Sequence, residues 1–436
     1  MLDGVALGFS GLAFALVLIF LHVPIGVALG LVGIAGFAMI AGIPAALSLA
    51  ATEPVSAITN LDLAVIPLFL LMGELAAQAG LATDLYNAAH AFMGHRRGGL
   101  ALATIGGCAT FGSVCGSGIA TAATFGRIAL PEMEKRGYEP GFAAGTVAAG
   151  GTLGILIPPS VIMVIYAVLT EQFITDLFVA SIIPSVIAIA GYALAAMIYV
   201  RLHPEVAPQS EPLPWPVRWQ ALGRSWGVTL LTVIVIGGIF VGWFSPNEAA
   251  AVGVVIALAF AIGRRRLTLQ SLRDTLVASA GSTAMVYVLI IGASIFSYFL
   301  TATRVPQFLV SAITATALPG LAIIFLILVL YIVLGAVFDE VAAMVLTLPF
   351  VLPIIKSFNY DLVWWGIINV VVIEIGMICP PIGINVFVIH GMRPGGSLVG
   401  IYRGIMPFLL SDFVRLFLLT MFPPLTLWTL HLWKGL

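Results

Sequence analysis

The chain has 436 residues, of which 61% are hydrophobic and 8% are charged, and its formal net charge is −1. Soluble domains carry about 25% charged residues, so this composition excludes a soluble protein and predicts a polytopic membrane protein. Apolar runs of about 20 residues, the length of a membrane-spanning helix, recur along the whole chain. The sequence has no signature of nucleic-acid binding.

The first half begins with apolar segments and then becomes rich in glycine. We predict spans near 5–22, 25–42 and 61–79, an amphipathic helix near 82–93, a helical hairpin at about 98–136, a broken span at about 140–169 and a last span near 176–200. Pro158-Pro159 interrupts the broken span, because proline lacks a backbone donor and clashes with the preceding turn. Open backbone at membrane depth is tolerated only where protein buries it or where it lines a polar cavity.

The second half follows the same order. We predict spans near 226–244, 247–263 and 275–301, a hairpin at about 318–358, a broken span at about 362–391 and a last span near 398–422. Its proline pair, Pro380-Pro381, follows the first pair at an offset of 222 residues (380 − 158 = 222). The sequence therefore predicts two repeats, residues 1–210 and 222–436, joined by a linker at 211–221.

The predicted spans imply that the two repeats have opposite orientations. Each repeat crosses the membrane five times if its hairpin re-enters and seven times if the hairpin spans, and both numbers are odd. If the base of the first hairpin is cytoplasmic, only three basic residues fall on the periplasmic side, namely Arg304, Lys356 and Lys434. This bias agrees with the positive-inside rule and places both termini in the periplasm.

The first candidate site combines the tip of the first hairpin with the first proline break. Hydroxyl groups come from Ser113, Ser117, Thr121 and Ser160, and Gly116 allows close backbone approach. The helix end at Ile157 and Pro158 leaves carbonyl groups without intrahelical partners. Such oxygens suit Na⁺. The alternative is that these small residues only allow close helix packing.

The second candidate site has a tip at 335–340, which begins with Gly335 and ends with two acids, and a break at 377–381. Asp339 and Glu340 are either functional acids within the membrane or caps of the following helix. The helices that start after the tips and breaks present positive N-terminal ends, which favour a substrate carboxylate. The expected substrate contacts are Gly116, Ser117, Thr121, Ser160, Gly383 and Asn385.

Other residues carry weaker signals. Glu74, Arg127, Glu374 and Arg415 lie within predicted spans, and we interpret them as structural ion-pair partners; for Glu74 or Glu374, a position facing a cavity or a role in proton transfer is the alternative. We expect Trp364-Trp365, Trp428 and Trp433 to mark membrane interfaces. No Walker motif occurs, so ATP binding is not expected.

Several of these segments together resemble the large membrane subunit of TRAP (tripartite ATP-independent periplasmic) transporters, of the DctM type and the ion transporter superfamily. The resemblance covers essentially the whole chain and rests on residues 66–73, 111–120, 157–160, 335–340 and 380–385. It implies an elevator-type transporter of a bacterial or archaeal inner membrane. Its hairpins and broken helices would form a transport domain that moves against a scaffold.

The resemblance also implies partners and ligands. A periplasmic binding protein would deliver an organic acid, such as a C4-dicarboxylate, a 2-oxo acid or a sugar acid, and a separate small four-helix subunit would complete the complex among membrane lipids. A Na⁺ gradient would drive uptake. The first Na⁺ site would comprise Ser113, Gly116, Ser117, Ile157 and Pro158. The second would comprise Gly335, Asp339, Met377, Cys379 and Pro380; because a thiol is a poor Na⁺ ligand, either Cys379 contributes only its carbonyl or the site binds the ion weakly.

Three other functions compete with this interpretation. The nearest is an ion-coupled anion symporter that needs no binding protein. A membrane enzyme is disfavoured because the sequence offers no nucleophile–base pair or metal cluster. A channel is also disfavoured, and accumulation of solute against its gradient would exclude it.

Overall fold

The computed structural model describes residues 2–209, 211–316, 318–393 and 395–435. Within these ranges the chain is helical throughout and contains no β-strand. Seven of the described helical segments are long and apolar enough to cross a membrane, and up to nine are if each of two bent helix pairs is one span. The predicted all-α class is therefore confirmed.

The helices up to residue 202 include the first hairpin (α6 and α7) and the first broken helix (α8 and α9). In chain order they are α1 (Leu2–Phe20), α2 (Ile25–Ala41), α3 (Ile43–Thr59), α4 (Val65–Gln78), α5 (Leu81–Met93), α6 (Gly99–Cys115), α7 (Gly118–Lys135), α8 (Pro140–Leu156), α9 (Val161–Thr170), α10 (Ile174–Ala180) and α11 (Ile182–Leu202).

The helices from residue 215 onward include the second hairpin (α18 and α19) and the second broken helix (α20 and α21). In chain order they are α12 (Trp215–Arg224), α13 (Trp226–Thr232), α14 (Gly238–Val241), α15 (Pro246–Gly263), α16 (Leu269–Thr303), α17 (Val305–Ala315), α18 (Gly320–Val337), α19 (Glu340–Ser357), α20 (Leu362–Ile378), α21 (Ile384–Gly391), α22 (Leu398–Met421) and α23 (Pro424–Lys434). A π-helical turn, Val233–Gly237, joins α13 to α14.

Whole helices recur at the spacing of the proline pairs. The bounds of α7 and α19 differ by 222 at both ends (340 − 118 and 357 − 135), and so do those of α8 and α20 (362 − 140 and 378 − 156). Both proline pairs are joined by cis peptide bonds. The helices of the two hairpins and two breaks therefore recur in register, but the tips differ: Gly116 ends α6 in the left-handed region (φ +66°), whereas Phe338 ends α18 in an extended conformation (φ −103°).

The sequence missed four helices, namely α3, α12, α17 and α23. Pro44 lies in the first turn of α3, where proline's missing N–H costs no hydrogen bond. Most of α12 lies in the predicted linker. The halves also differ, because the single 35-residue helix α16 occupies the stretch that corresponds to α3 and α4 together (43 + 222 = 265 and 78 + 222 = 300).

The two broken helices form the centre of the molecule. Every residue of α8 from 141 to 156 and of α20 from 363 to 378 is buried. A helix that is apolar on all sides is typical of a buried position. The helix α8 packs against α6, α7 and α22, and α20 packs against α18, α19 and α22. The hairpins thus lie directly against the breaks.

Candidate functional site

The tip of the first hairpin lies on the first break, which is the turn of residues 157–160 between α8 and α9. Gly116 has a φ of +66°, a left-handed conformation that glycine adopts without strain. Its carbonyl accepts a hydrogen bond from the N–H of Val161 (3.4 Å). A Cβ on Gly116 would lie 2.9 Å from the carbonyl oxygen of Pro159. A side chain at residue 116 would therefore push the tip away from the break.

Each hairpin crosses its broken helix at a contact between two glycines. A Cβ on Gly112 would lie 2.5 Å from the Cα of Gly154, and a Cβ on Gly376 would lie 2.6 Å from the Cα of Gly335. Helices approach this closely only where small residues meet. The two contacts occupy corresponding positions to within one residue (376 − 154 = 222 and 335 − 112 = 223).

The tip of the second hairpin is bonded to the second break, residues 379–383. The N–H of Gly383 donates to the carbonyl of Ala336 (3.2 Å). Asp339 caps α19, because its Oδ1 accepts hydrogen bonds from the N–H groups of Val341 (3.0 Å) and Ala342 (2.9 Å). Capping is one of the two roles that the sequence leaves open for Asp339, and it uses Oδ1 alone.

Two hydroxyl groups of the first candidate site make local hydrogen bonds. Ser113 donates to the carbonyl of Thr110 (2.6 Å). Ser160 donates to the carbonyl of Ile155 (2.5 Å) and caps α9. Both hydroxyl oxygens retain lone pairs, so these bonds leave them able to accept or to coordinate.

Ser117 and Thr121 begin α7 next to the tip. Ser117 caps the helix, and its hydroxyl accepts a hydrogen bond from the N–H of Ala120 (3.5 Å). Thr121 Oγ1 is buried and has no hydrogen-bond partner in the described part of the chain. A Cβ on Gly154 would lie 2.7 Å from this oxygen. The hydroxyl of Thr121 therefore faces the end of α8. Buried polar atoms are normally hydrogen-bonded, so this oxygen is available to a ligand.

Carbonyl groups at both breaks also lack hydrogen-bond partners. Among the described residues, no backbone N–H donates to the carbonyls of Ile157, Pro158, Cys379 or Pro380. Unwound backbone of this kind supplies cation ligands in transporters with discontinuous helices. At both breaks, these four carbonyl oxygens therefore accept no backbone hydrogen bond within the described residues.

The two sites meet at Gly118, the first residue of α7. A Cβ on Gly118 would contact Glu340 Oε2 of the second tip (3.3 Å), Ile155 of α8 (3.4 Å) and Met377 of α20 (3.4 Å). Glu340 is 8% exposed, and its Oε2 has no hydrogen-bond partner in the described ranges. Both tips and both broken helices therefore converge on one position.

A cavity of about 600 Å³ lies beside this junction, between the tips and helices α4, α7 and α16. Its charged lining residues are Glu74, Arg127, Asp339 and Glu340. The side chains of Glu74 and Arg127 are exposed, and neither forms an ion pair in the part of the chain that the structure describes. The prediction that these two residues are structural ion-pair partners is therefore wrong.

The predicted substrate contacts are distributed unevenly around the cavity. Ser117 lines it, whereas the other five, Gly116, Thr121, Ser160, Gly383 and Asn385, do not belong to its described lining. Asn385 is fully buried, and its Nδ2 donates to the carbonyl of Ala148 on α8 (3.2 Å). This bond joins the second broken helix to the first.

A buried polar cluster lies behind the breaks. Arg415 pairs with Glu374 (2.6 Å) and with Asp412 (2.9 Å), and these side chains are at most 2% exposed. Tyr192 donates to Asp412 Oδ2 (2.6 Å), and its hydroxyl lies 3.2 Å from Thr152 Oγ1. The ion-pair role expected of Glu374 and Arg415 is confirmed. Thr152 on α8 and Glu374 on α20 occupy equivalent positions (374 − 152 = 222), so the cluster connects the two broken helices.

One expectation about the membrane interface is wrong. Trp364 and Trp365 are 1% and 0% exposed, so they do not mark an interface. The indole N–H of Trp364 donates to the carbonyl of Leu419 on α22 (3.1 Å). Both tryptophans lie in the first turn of α20, a helix that neighbouring helices cover on all sides. The sequence of α20 did not reveal this burial. Trp428 and Trp433 are exposed, as an interfacial position requires.

Paired hairpins that close on paired helix breaks beside a cavity define a membrane transporter with discontinuous helices. The fold is similar to the crystal structure of the Alcanivorax borkumensis YdaH transporter, with a TM-score of 0.59, 16% identity and coverage of 86% of this chain and 88% of that chain.

The sequence specifies the family. Residues 12–425 match the model of the tripartite ATP-independent periplasmic transporter, DctM component. The chain is 36% identical to the C4-dicarboxylate TRAP transporter large permease protein DctM of Pseudomonas aeruginosa, over 85% of this chain and 86% of the relative. It is 30% identical to the sialic acid TRAP transporter large permease protein SiaM of Vibrio cholerae, over 96% and 97%. The chain therefore belongs to the DctM family: it is a multi-pass TRAP large permease subunit and not an enzyme.

Proposed function

We propose that this subunit imports a carboxylate-bearing organic solute across the inner membrane, coupled to Na⁺, after a periplasmic binding protein delivers the solute. A small four-helix subunit completes the complex. The two relatives named above are assigned to a C4-dicarboxylate and to sialic acid, and both are organic acids. The carboxylate is the chemical feature that these solutes share.

The observation that carries this proposal is the placement of each hairpin tip on a break with unpartnered carbonyls. The first proposed Na⁺ site uses the carbonyls of Ile157 and Pro158 with the tip residues Ser113, Gly116 and Ser117. Oxygen ligands without a full buried charge suit a monovalent cation.

The second proposed Na⁺ site uses the carbonyls of Met377, Cys379 and Pro380 with Gly335 and Asp339. Asp339 Oδ1 caps α19, so Oδ2 is the oxygen that we assign to the ion. Each bound ion would hold one tip against its break. The substrate site between the tips would therefore be complete only when Na⁺ is bound.

We further propose an inverted arrangement of the two halves and an elevator motion. The hairpins and broken helices, α6–α9 and α18–α21, would move as one body together with α11 and α22, because Asn385 bonds the two broken helices and the cluster around Arg415 bonds both of them to α11 and α22. The remaining helices would form the scaffold. The excess of basic residues on one face supports periplasmic termini.

Reconstitution tests the function. The large and small subunits in proteoliposomes should accumulate solute only with an inward Na⁺ gradient and the loaded binding protein outside. Rapid Na⁺-driven uptake of free solute without the binding protein would instead support the stand-alone symporter. Uptake that never exceeds the outside concentration would contradict coupled transport.

A further inference from the structure

Acidic and basic side chains line different parts of the cavity. Glu340 lies at the tip end, with its Oε2 about van der Waals distance from the Cβ position of Gly118. Glu74 lines the wall that α4 provides, and Asp339 is also at the tip. Arg127 is the one basic residue among the described lining residues, and it lies on α7 nine residues beyond Gly118 (127 − 118 = 9). The cavity is therefore acidic at the tip and basic farther along α7.

The guanidinium of Arg127 is available to a ligand. Its side chain is exposed, and no carboxylate of the described residues lies within 4.0 Å of it. Within the described ranges the side chain of Arg127 makes one hydrogen bond, a long one from Nε to the carbonyl of Ala123 (3.4 Å). This bond turns the side chain back toward the tip. The level of Ala123 is five residues from Gly118, or about 7.5 Å along the helix axis.

Carboxyl groups, and no basic side chain among the described lining residues, lie at the tip end of the cavity. Glu340 Oε2 is buried at the start of α7 and has no hydrogen-bond partner among the described residues. At this same helix N-terminus the sequence alone predicts binding of the substrate carboxylate. An ionised carboxyl group at this end would repel a substrate carboxylate strongly, because little water separates the two. Carboxylate oxygens do, however, accept hydrogen bonds from hydroxyl or ammonium groups.

We propose that Arg127 binds the carboxylate of the substrate and that Glu340 and Glu74 accept hydrogen bonds from donor groups at its other end. This inference rests on the proposed transport function and narrows its substrate class. The substrate is a small acid with one carboxylate and with hydroxyl or ammonium donors, such as a hydroxy acid, a sugar acid or a zwitterion. An unsubstituted dicarboxylate would place its second carboxylate against Glu340.

Ligand binding to the purified large–small complex in NaCl tests the substrate class. Three six-carbon acids serve as probes: gluconate carries hydroxyl groups, 6-aminohexanoate carries an ammonium group, and adipate carries a second carboxylate. Thermal stabilisation of the complex by gluconate or 6-aminohexanoate, and not by adipate, is the expected result. Stabilisation by adipate alone, or by none of the three, would overturn the assigned class.

Substitutions test the role of Arg127. Arg127→Gln should raise the apparent dissociation constant of the stabilising probe about 10- to 100-fold, because hydrogen bonds to charged groups contribute about 1.5–3 kcal/mol and each 1.4 kcal/mol is tenfold. Arg127→Lys keeps the charge but not the paired donors, so an intermediate value is expected. Arg136→Gln is the matched control, since Arg136 follows the same helix, pairs with Glu132 (3.7 Å) and does not line the cavity.

Chemical restoration of the charge guards against misfolding of the glutamine variant. Arg127→Cys modified with a cationic methanethiosulfonate should regain probe binding, whereas modification with an anionic reagent should not. Equal binding by all Arg127 variants would refute the inference. Na⁺-driven uptake by the unmodified protein is measured in parallel: if it persists, only this inference fails, and if it is absent, the proposed function fails.

Discussion

The polar cluster around Arg415 makes a sharp prediction, because two substitutions that remove the same ion pair should have unequal effects. Arg415 contacts Glu374 (2.6 Å) and Asp412 (2.9 Å). Arg415→Gln removes the cation and leaves two carboxylates facing each other in the interior. Glu374→Gln removes one carboxylate and leaves the pair of Asp412 with Arg415.

The expected magnitudes follow from burial. An uncompensated buried charge costs about 3–5 kcal/mol, so Arg415→Gln should lower the free energy of unfolding by that amount. The amide oxygen of Glu374→Gln still accepts the guanidinium N–H, so this variant exchanges a charged hydrogen bond for a neutral one, at a cost of about 1 kcal/mol. The two variants should therefore differ by at least about 2 kcal/mol.

Equilibrium unfolding in mixed detergent micelles measures both variants. Arg136→Gln is the exposed control; its ion pair with Glu132 spans 3.7 Å with side chains 28% and 41% exposed, and exposed pairs contribute about 0–1 kcal/mol. Equal losses for Arg415→Gln and Glu374→Gln would refute the reasoning. A loss for Arg415→Gln no larger than that of the control would show that the cluster is not desolvated.

Two further predictions concern the ion sites and the topology. Ser117→Ala should shift the Na⁺ dependence of uptake to higher concentration, because it removes a proposed ligand. Ser397→Ala is the control: it loses a similar helix cap, the hydrogen bond from the N–H of Gly400 (3.1 Å). This control should leave the Na⁺ titration unchanged. Identical titrations for both variants would mean that Ser117 only caps α7. Single cysteines added at the two termini should react with an impermeant thiol reagent from the periplasm, and protection of the C-terminus alone would contradict the inverted arrangement.

The positions of the prolines determined how much of the fold the sequence could predict. Pro158-Pro159 and Pro380-Pro381 end helices wherever they occur, so the broken helices and the hairpins beside them were predicted close to their observed bounds. Helices α3 and α12 were missed because prolines at their starts, which a helix tolerates in its first turn, resemble the prolines of loops.

Side-chain environments were harder to predict than helices. The partners of Arg415 come from α20 and from its own helix, and Tyr192 reaches Asp412 across 220 residues of chain. Such contacts depend on which faces of the helices meet, and hydrophobic periodicity gives no sign of a face on helices that are apolar all round. For the same reason the sequence did not reveal that Trp364 is buried. That Glu74 and Arg127 share a cavity depends instead on how α4 and α7 are placed in the fold.

A structure of the large–small complex at high resolution, determined once in NaCl and once in choline chloride, tests the central claim most directly. We predict cation density in NaCl at both breaks, between Ser117 and the Ile157 carbonyl at the first and between Asp339 and the Cys379 carbonyl at the second, and no such density in choline. Na⁺-dependent uptake by a complex whose two breaks hold no ion in NaCl would contradict the account.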